Sequence, residues 1–364
     1  MKRTISLKLI STQDQKRSLL NLAEAFSRAC THAVFAALEH QEWNRVRLHH
    51  LIYNTLRSLT PELGSQMACN AIAKAARACK ASKGKRNISF KELASVHFDK
   101  RTYSLKGNVL SLFTLEGRMK FEYAIGAFQE QYLKIGTPKE AELVRKGNRW
   151  FFNLVLDIPD VASLDGGKVM GIDFGENTVA ATSTGKLIDG GKLRYDRDQF
   201  LSHRSRLQHN GSQSARQRLR QISGRERRHV KHVNHCVSKE LVGEALRNGC
   251  SLIALEDLKN IRQRIRTGKR MRGRLHRWSF DELRCFVEYK AAAVGIRVVA
   301  VNPAYTSQTC SECSCIGIRQ KHQFCCSNCG SLQHSDLNAS RNLVKLGLSV
   351  DKPTGDVNRR HVAA

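Results

Sequence analysis

From Arg3 to Ile10 polar and apolar residues alternate, the period of a half-buried strand. From about Gln13 to Ala81 apolar residues recur at three and four, as in RSLLNLAEAFSRACTHAVFAAL, which predicts helices with Lys and Arg on their outer face. Pro61 after Thr60 predicts a new helix over PELGSQMACNAIAKAARACKA. KASKGKRN reads as a basic linker. From Ile88 to about Ile158 strand patterns return in NVLSLFTL, GRMKFEY and EAELVRKGNRWFFNLVLDI, with a hairpin turn at Lys146-Gly147-Asn148. The first strand and this later set are expected to form one antiparallel barrel or sheet, with the helices inserted between them.

Gly166-Gly167 marks a boundary. Beyond it VMGIDFG and NTVAATST make a hairpin-like pair, followed by a long polar, Arg-rich helix from about Tyr195 to Arg247. SLIALED is a short buried strand, WSFDELRCFVEYKAAAVG a helix and IRVVAVNP another strand. Strands alternating with helices predict an α/β sheet. No internal repeat is visible, and the polar tail after Val350 is expected to fray.

Charge narrows the choice of partner. The chain has 364 residues with 61 Lys plus Arg against 32 Asp plus Glu, a formal net charge of +29. Such an imbalance self-repels unless a polyanion neutralises it, so nucleic acid is the expected partner. A membrane surface is not, since no basic amphipathic helix with an aromatic face is present. The N-terminus has no signal-peptide core, and no run approaches the length of a membrane span. A soluble, cytoplasmic protein is expected.

Of 12 cysteines, Cys30, Cys69, Cys79, Cys236, Cys250 and Cys285 are scattered and read as buried thiols. The other six cluster. Cys310 and Cys313 are spaced C-x2-C, as are Cys326 and Cys329, and two such knuckles supply four thiolates for a closed structural zinc site. Cys325 is a poorer ligand at x3 spacing from Cys329, Cys315 is extra, and an iron–sulfur cluster is the alternative.

Three carboxylates stand near element ends. Asp173 lies in GIDFG, where glycines two residues before and after allow a backbone or a phosphate to come close. Glu256 ends LIALE, and Asp257 beside it is equally acidic. Asp336 precedes a helical pattern, where by itself it would read as an N-cap. Carboxylates converging at a sheet end suit two Mg2+ ions and phosphodiester cleavage. After Glu256 comes a basic stretch with Arg262, Arg264, Arg266, Lys269, Arg270, Arg272, Arg274 and Arg277, read as a mobile loop that guides a single strand. A second basic stretch, Arg204 to Arg228, lies on the expected long helix, with contacts to a nucleic-acid duplex as its role. His203, His209, His229, His232 and His235 sit among arginines and read as surface residues rather than metal ligands.

Taken in order, GIDFGENTVAATSTG, LIALEDL, WSFDELRCFVEYKAAAVG, YTSQTCSEC, FCCSNCG and HSDLNASRN resemble the C-terminal half of TnpB proteins, transposon-encoded RNA-guided DNA nucleases related to the type V CRISPR effectors. The resemblance covers about residues 168 to 347; the N-terminal half resembles the family only in layout. It implies a RuvC-like nuclease domain with an RNase H-type fold over 166–305 and 331–350, with a zinc ribbon at 306–330. It further implies a wedge-type β-barrel at 1–12 and 86–165, a recognition helical domain at 13–85 and a flexible tail at 351–364. The catalytic, magnesium-binding carboxylates would be Asp173, Glu256 and Asp336, which selects Glu256 over Asp257. Two Mg2+ and one Zn2+ are the implied cofactors. A guide RNA from the transposon end and double-stranded DNA are the implied partners, with one protein per guide RNA. Ser314 stands where the family usually has glycine and Ser335 where it often has arginine, but no ligand is missing. The competing expectations are an RNA-guided repressor without cleavage and a guide-free recombinase.

Overall fold

The computed structural model describes residues 1–82, 88–258, 279–302 and 305–350, in two units, Met1–Asp160 and Val161–Ala364. The first opens with β1 (Lys2–Ile10), whose alternation buries Ile5, Leu7 and Leu9. Three helices follow, α1 (Gln13–Glu39), α2 (Arg45–Leu59) and α3 (Ser65–Ala81). Thr12 starts α1 with a reciprocal cap, in which its hydroxyl accepts from the Gln15 amide at 3.3 Å and Gln15 Oε1 accepts from the Thr12 amide at 2.9 Å. The third helix begins at Ser65 rather than at Pro61. The Leu63 amide donates to Thr60 O at 3.1 Å, closing a turn, and Gly64 is extended, so the helical hydrogen bonds start at its carbonyl, which accepts from the Ala68 amide at 3.0 Å.

After the helices come β2 (Val96–Phe98), β3 (Tyr103–Lys106), β4 (Val109–Thr114), β5 (Gly117–Ala124), α4 (Ala127–Ile135), β6 (Thr137–Lys146) and β7 (Arg149–Asp157). All seven strands form one antiparallel sheet, ordered β2-β6-β7-β1-β5-β4-β3, with the chain's first strand at its centre. The edge strands β2 and β3 are not paired with each other. Phe98, Phe121 and Phe152 from the sheet and Phe26 from α1 are fully buried in the shared core. A polar clasp ties α3 to the sheet: Lys74 Nζ donates to Ser95 O at 2.6 Å and to Glu142 at 2.8 Å. The helix α4, absent from the periodicity reading, has no buried residue; the Arg3 guanidinium stacks on its Tyr132 at 3.8 Å.

The second unit carries a five-stranded sheet ordered β10-β9-β8-β11-β12, from β8 (Lys168–Asp173), β9 (Thr178–Thr182), β10 (Leu187–Asp189), β11 (Cys250–Glu256) and β12 (Arg297–Val301). The pair β8–β9 is an antiparallel hairpin, whereas β8, β11 and β12 are parallel. Parallel strands are covered on both faces, which is why every residue from Cys250 to Leu255 is buried. Where one long helix was expected there are three, α5 (Gly191–Asn210), α6 (Gln213–Ile222) and α7 (Arg225–Arg247). Gly211 at φ +63° and Gly224 at φ +72° take left-handed backbone there, which ends one helix and redirects the next. The arginines Arg216, Arg218 and Arg220 are exposed on α6.

Helices α7 and α8 (Phe280–Ala292) cover one face of this sheet, packing Val237, Leu241 and Val287 against Met170, Ile172 and Leu255. The last helix, α9 (Ser335–Val350), covers the other, with Leu343 against Ala254 and Val301. Between β12 and α9 lies a small sheet of β13 (Ile318–Gln320), β14 (Gln323–Cys325) and β15 (Leu332–His334). Among the described residues no helix is long and apolar enough to cross a membrane.

Candidate active site and four-cysteine centre

Strand alternation decides where two of the carboxylates point. Ile172 and Leu255 are register partners on β8 and β11 and face α7 and α8. The next residue of each strand, Asp173 and Glu256, therefore projects to the α9 face. Both lie at the carboxyl ends of adjacent parallel strands, where α/β sheets place their ligands. Asp336 arrives from the first turn of α9 and is buried.

The three groups feel one another. Burial pushes the Asp173 carboxyl well above the usual range, and the charges of Glu256 and Asp336 push it further, against the Arg319 guanidinium. Burial also raises Glu256, opposed by a 2.6 Å hydrogen bond from Thr306 Oγ1 and by Arg319. Arg319, on β13, donates Nη2 to Asp336 Oδ1 at 3.1 Å. Among the described residues these three carboxylates have the Arg319 guanidinium beside them, and clustered oxygen donors in such a setting fit hard divalent cations. Asp257 is turned elsewhere, accepting from Arg284 Nη1 of α8 at 3.3 Å.

Close backbone approach makes the cluster possible. A Cβ at Gly171 would overlap the carbonyl oxygen of Ser340, and one at Gly347 would lie 2.8 Å from the Ala254 Cβ. Buried asparagines of α9 then hold the segment leading into the small sheet. Asn338 donates to Thr309 O at 2.7 Å and accepts from the Ser311 amide at 2.7 Å. Asn342 donates to Thr306 O at 2.9 Å, next to the hydroxyl that reaches Glu256.

Cys310, Cys313, Cys326 and Cys329 bring their Sγ atoms within 4.8 Å of one another. The Cys310–Cys329 and Cys313–Cys326 sulfur separations are 3.7 and 3.5 Å. A disulfide needs about 2 Å. A tetrahedral zinc with Zn–S near 2.3 Å has sulfur edges of about 3.8 Å, so the donor set fits that ion. Each knuckle is closed alike: the Ser314 amide donates to Cys310 O at 3.0 Å and the Gly330 amide to Cys326 O at 2.9 Å. The backbone amide of Cys315, followed by the Asn328 side chain, brings the Cys313 thiol down to about 6. Cys325 is exposed on β14 and Cys315 is exposed beyond the first knuckle.

Sequence reasoning missed Thr306, Arg319, His322 and His334. Their only signal was position beside the cysteines, since none belongs to a spaced ligand pattern. Arg264, Arg266, Lys269, Arg270, Arg272, Arg274 and Arg277 lie outside the described residues. Not all of the histidine series is superficial: His235 stacks on Phe286 at 3.9 Å between centroids, and burial lowers its pKa.

Two family models match the chain: one described as a probable transposase over residues 154–262, and a Cas12f1-like TNB domain over residues 280–343. A Cas12f1 CRISPR-associated endodeoxyribonuclease of Sulfoacidibacillus thermotolerans is 31% identical over 54% of this chain and 50% of its own length. A TnpB-like protein of Methanocaldococcus jannaschii is 35% identical over 43% of this chain and 58% of its own. The chain thus spans between half and three-fifths of these relatives. In fold it is similar to the protein in a solved Cas12f1–sgRNA–target DNA complex, with a TM-score of 0.63, 12% identity, and coverage of 94% of this chain and 98% of that one.

Proposed function

We propose that this chain, which belongs to the TnpB family related to the type V CRISPR effectors, is an RNA-guided DNA endonuclease. In this reading it holds a transposon-derived guide RNA and cuts guide-matched double-stranded DNA next to a short adjacent motif. The observation that carries the reading is that Asp173 and Glu256 end adjacent parallel strands on the face covered by α9, whose first turn carries the buried Asp336. The first unit would be the wedge-type barrel with its recognition helices, and the second the RuvC-like nuclease with its zinc ribbon.

Asp173, Glu256 and Asp336 would hold two Mg2+ ions. When bound, these ions supply an attacking water of lowered pKa and a countercharge for the leaving 3′ oxygen. The chain's own residues prepare the site. Thr306 Oγ1 fixes one oxygen of Glu256. Arg319 is the cation beside the acidic groups and is placed to meet a phosphate oxygen brought among them. The four cysteines hold the hairpin that carries Arg319, so zinc would act on cleavage by positioning alone. The exposed arginines of α6 would add sequence-independent affinity for a nucleic-acid backbone.

The test begins with the protein purified from cells that carry its native flanking DNA. Bound RNA is sequenced, and plasmid matching its variable segment is incubated with Mg2+. Cleavage that needs both the RNA and the match, and disappears in Asp173→Ala, is expected. Random RNA fragments together with guide-independent cutting would favour the recombinase. Guided binding without cutting would favour the repressor.

A further inference from the structure

We propose that His322, His334 and Asp336 form a further cation site, separate from the four cysteines and built for a nitrogen-preferring divalent transition ion such as Zn2+ or Co2+. One donor atom from each residue lies within 4.8 Å of the others. His334 ends β15 and His322 sits in the turn between β13 and β14. The two rings lie face to face, with centroids 5.4 Å apart and planes inclined by 23°.

The protonation pattern fits a ligand. The Asp336 amide donates to His334 Nδ1 at 3.3 Å. An accepting Nδ1 carries a lone pair and no proton, and at this length the bond is weak and readily exchanged for coordination. Asp336 Oδ1 is engaged by Arg319 and by Ser335 Oγ, each at 3.1 Å. Its Oδ2 accepts no hydrogen bond among the described residues.

The turn that presents His322 is held in place by the residue preceding Asp336. The Ser335 amide donates to His322 O at 2.8 Å, and Ser335 Oγ donates to Lys321 O at 3.3 Å. Arg319 Nε donates to the same Lys321 oxygen at 3.2 Å, and Lys321 itself takes left-handed backbone at φ +54°. A donor set anchored through its backbone is preorganised for an ion.

Donor chemistry selects the ion. Mg2+ takes oxygen ligands and keeps its waters, whereas two imidazoles with one carboxylate suit Zn2+, Co2+ or Ni2+. Because Asp336 is shared, an ion here draws on the same side chain as the acidic cluster. The site does not depend on the nuclease reading, since the observable is metal binding.

The experiment titrates Co2+ by calorimetry into the zinc-loaded full chain in excess Mg2+. Thiolate-to-cobalt absorption is followed to detect any exchange at the cysteines. One equivalent of Co2+ is expected to bind without thiolate absorption. His322→Gln and His334→Gln are each expected to weaken it by about tenfold or more, with the cysteine zinc retained as proof that the ribbon is folded. If His334→Gln loses that zinc, the exposed His322 decides alone. No Co2+ uptake by the parent chain, or unchanged affinity in His322→Gln, overturns the site.

Discussion

Gly171 on β8 lies so close to the carbonyl of Ser340 on α9 that no methyl group fits between them. That contact sets how near Asp336 can come to Asp173, because Asp173 is two residues along the strand from Gly171 and Asp336 one helical turn from Ser340. A side chain at 171 must therefore lift α9 from the sheet. Gly171→Ala is expected to destabilise the chain by about 1–3 kcal/mol, the range of an overpacked core. Guided cleavage should fall further than the loss of folded protein explains. Urea unfolding measured alongside cleavage checks this, and a variant as stable as the parent would mean that the helix has room to yield.

Asp173 shows the opposite relation between stability and function. Its carboxyl is raised above the unfolded value by burial and by Glu256 and Asp336. The folded chain then holds a proton that the unfolded chain has lost, so metal-free stability falls as pH rises from the ordinary Asp range through the raised value. Asp173→Asn removes this dependence. Without divalent cations it should melt at a higher temperature than the parent at neutral pH, with the advantage shrinking below about pH 4. Cleavage should be abolished. Equal melting at pH 7 would argue against carboxylate repulsion in the site.

The two cysteine knuckles differ at one corresponding position. Gly330 has φ +74° and Ser314 has φ +65°, in the left-handed region that glycine enters freely. A side chain there costs about 1 kcal/mol. Ser314→Gly should recover some of that cost, offset slightly by loss of the 3.4 Å contact from Lys345. Slower zinc release to a chelator is the expected readout. Faster release would show that the Ser314 hydroxyl contributes more than the backbone loses.

In the first unit the clasp between α3 and β6 carries a pH dependence of the ordinary carboxylate sign. Burial alone would raise Glu142, but hydrogen bonds from His97, Lys74 and Ser95 and the Lys74 charge bring it down from 4.5 to about 2. Its contribution is complete above the unfolded value and is lost as pH falls towards about 2. With 35% of the side chain exposed, the effect is about 1–2 kcal/mol after screening. Glu142→Gln should lower the melting temperature at pH 7 and leave it unchanged near pH 2.

Much of this was legible from residue order, because it depended on local rules. The alternation in RTISLKLI marked β1, the C-x2-C pairs marked the four thiolates that the knuckles bring together, and the apolar run before Glu256 marked a strand buried on both faces. Helix continuity was harder. Charge and polarity run unbroken from α5 to α7, and only the left-handed Gly211 and Gly224 divide them. α4 escaped notice because it is short and has no fully buried residue, only Tyr132 and Leu133 packing partly against the core, which leaves a weak periodic signature.

Sequence by itself determined the elements, the thiolate spacing, the excess positive charge and the acidic candidates, since each follows from neighbours a few positions apart. Tertiary structure decided which groups meet. Parallel register of β8 with β11 turned Asp173 and Glu256 to one face, while Asp257 went to Arg284. The approach of α9 over Gly171 brought Asp336 to them, and the hairpin ahead of α9 delivered Arg319, His322 and His334. Those contacts are set by strand register and helix packing between distant segments, and no periodicity within a short window encodes them.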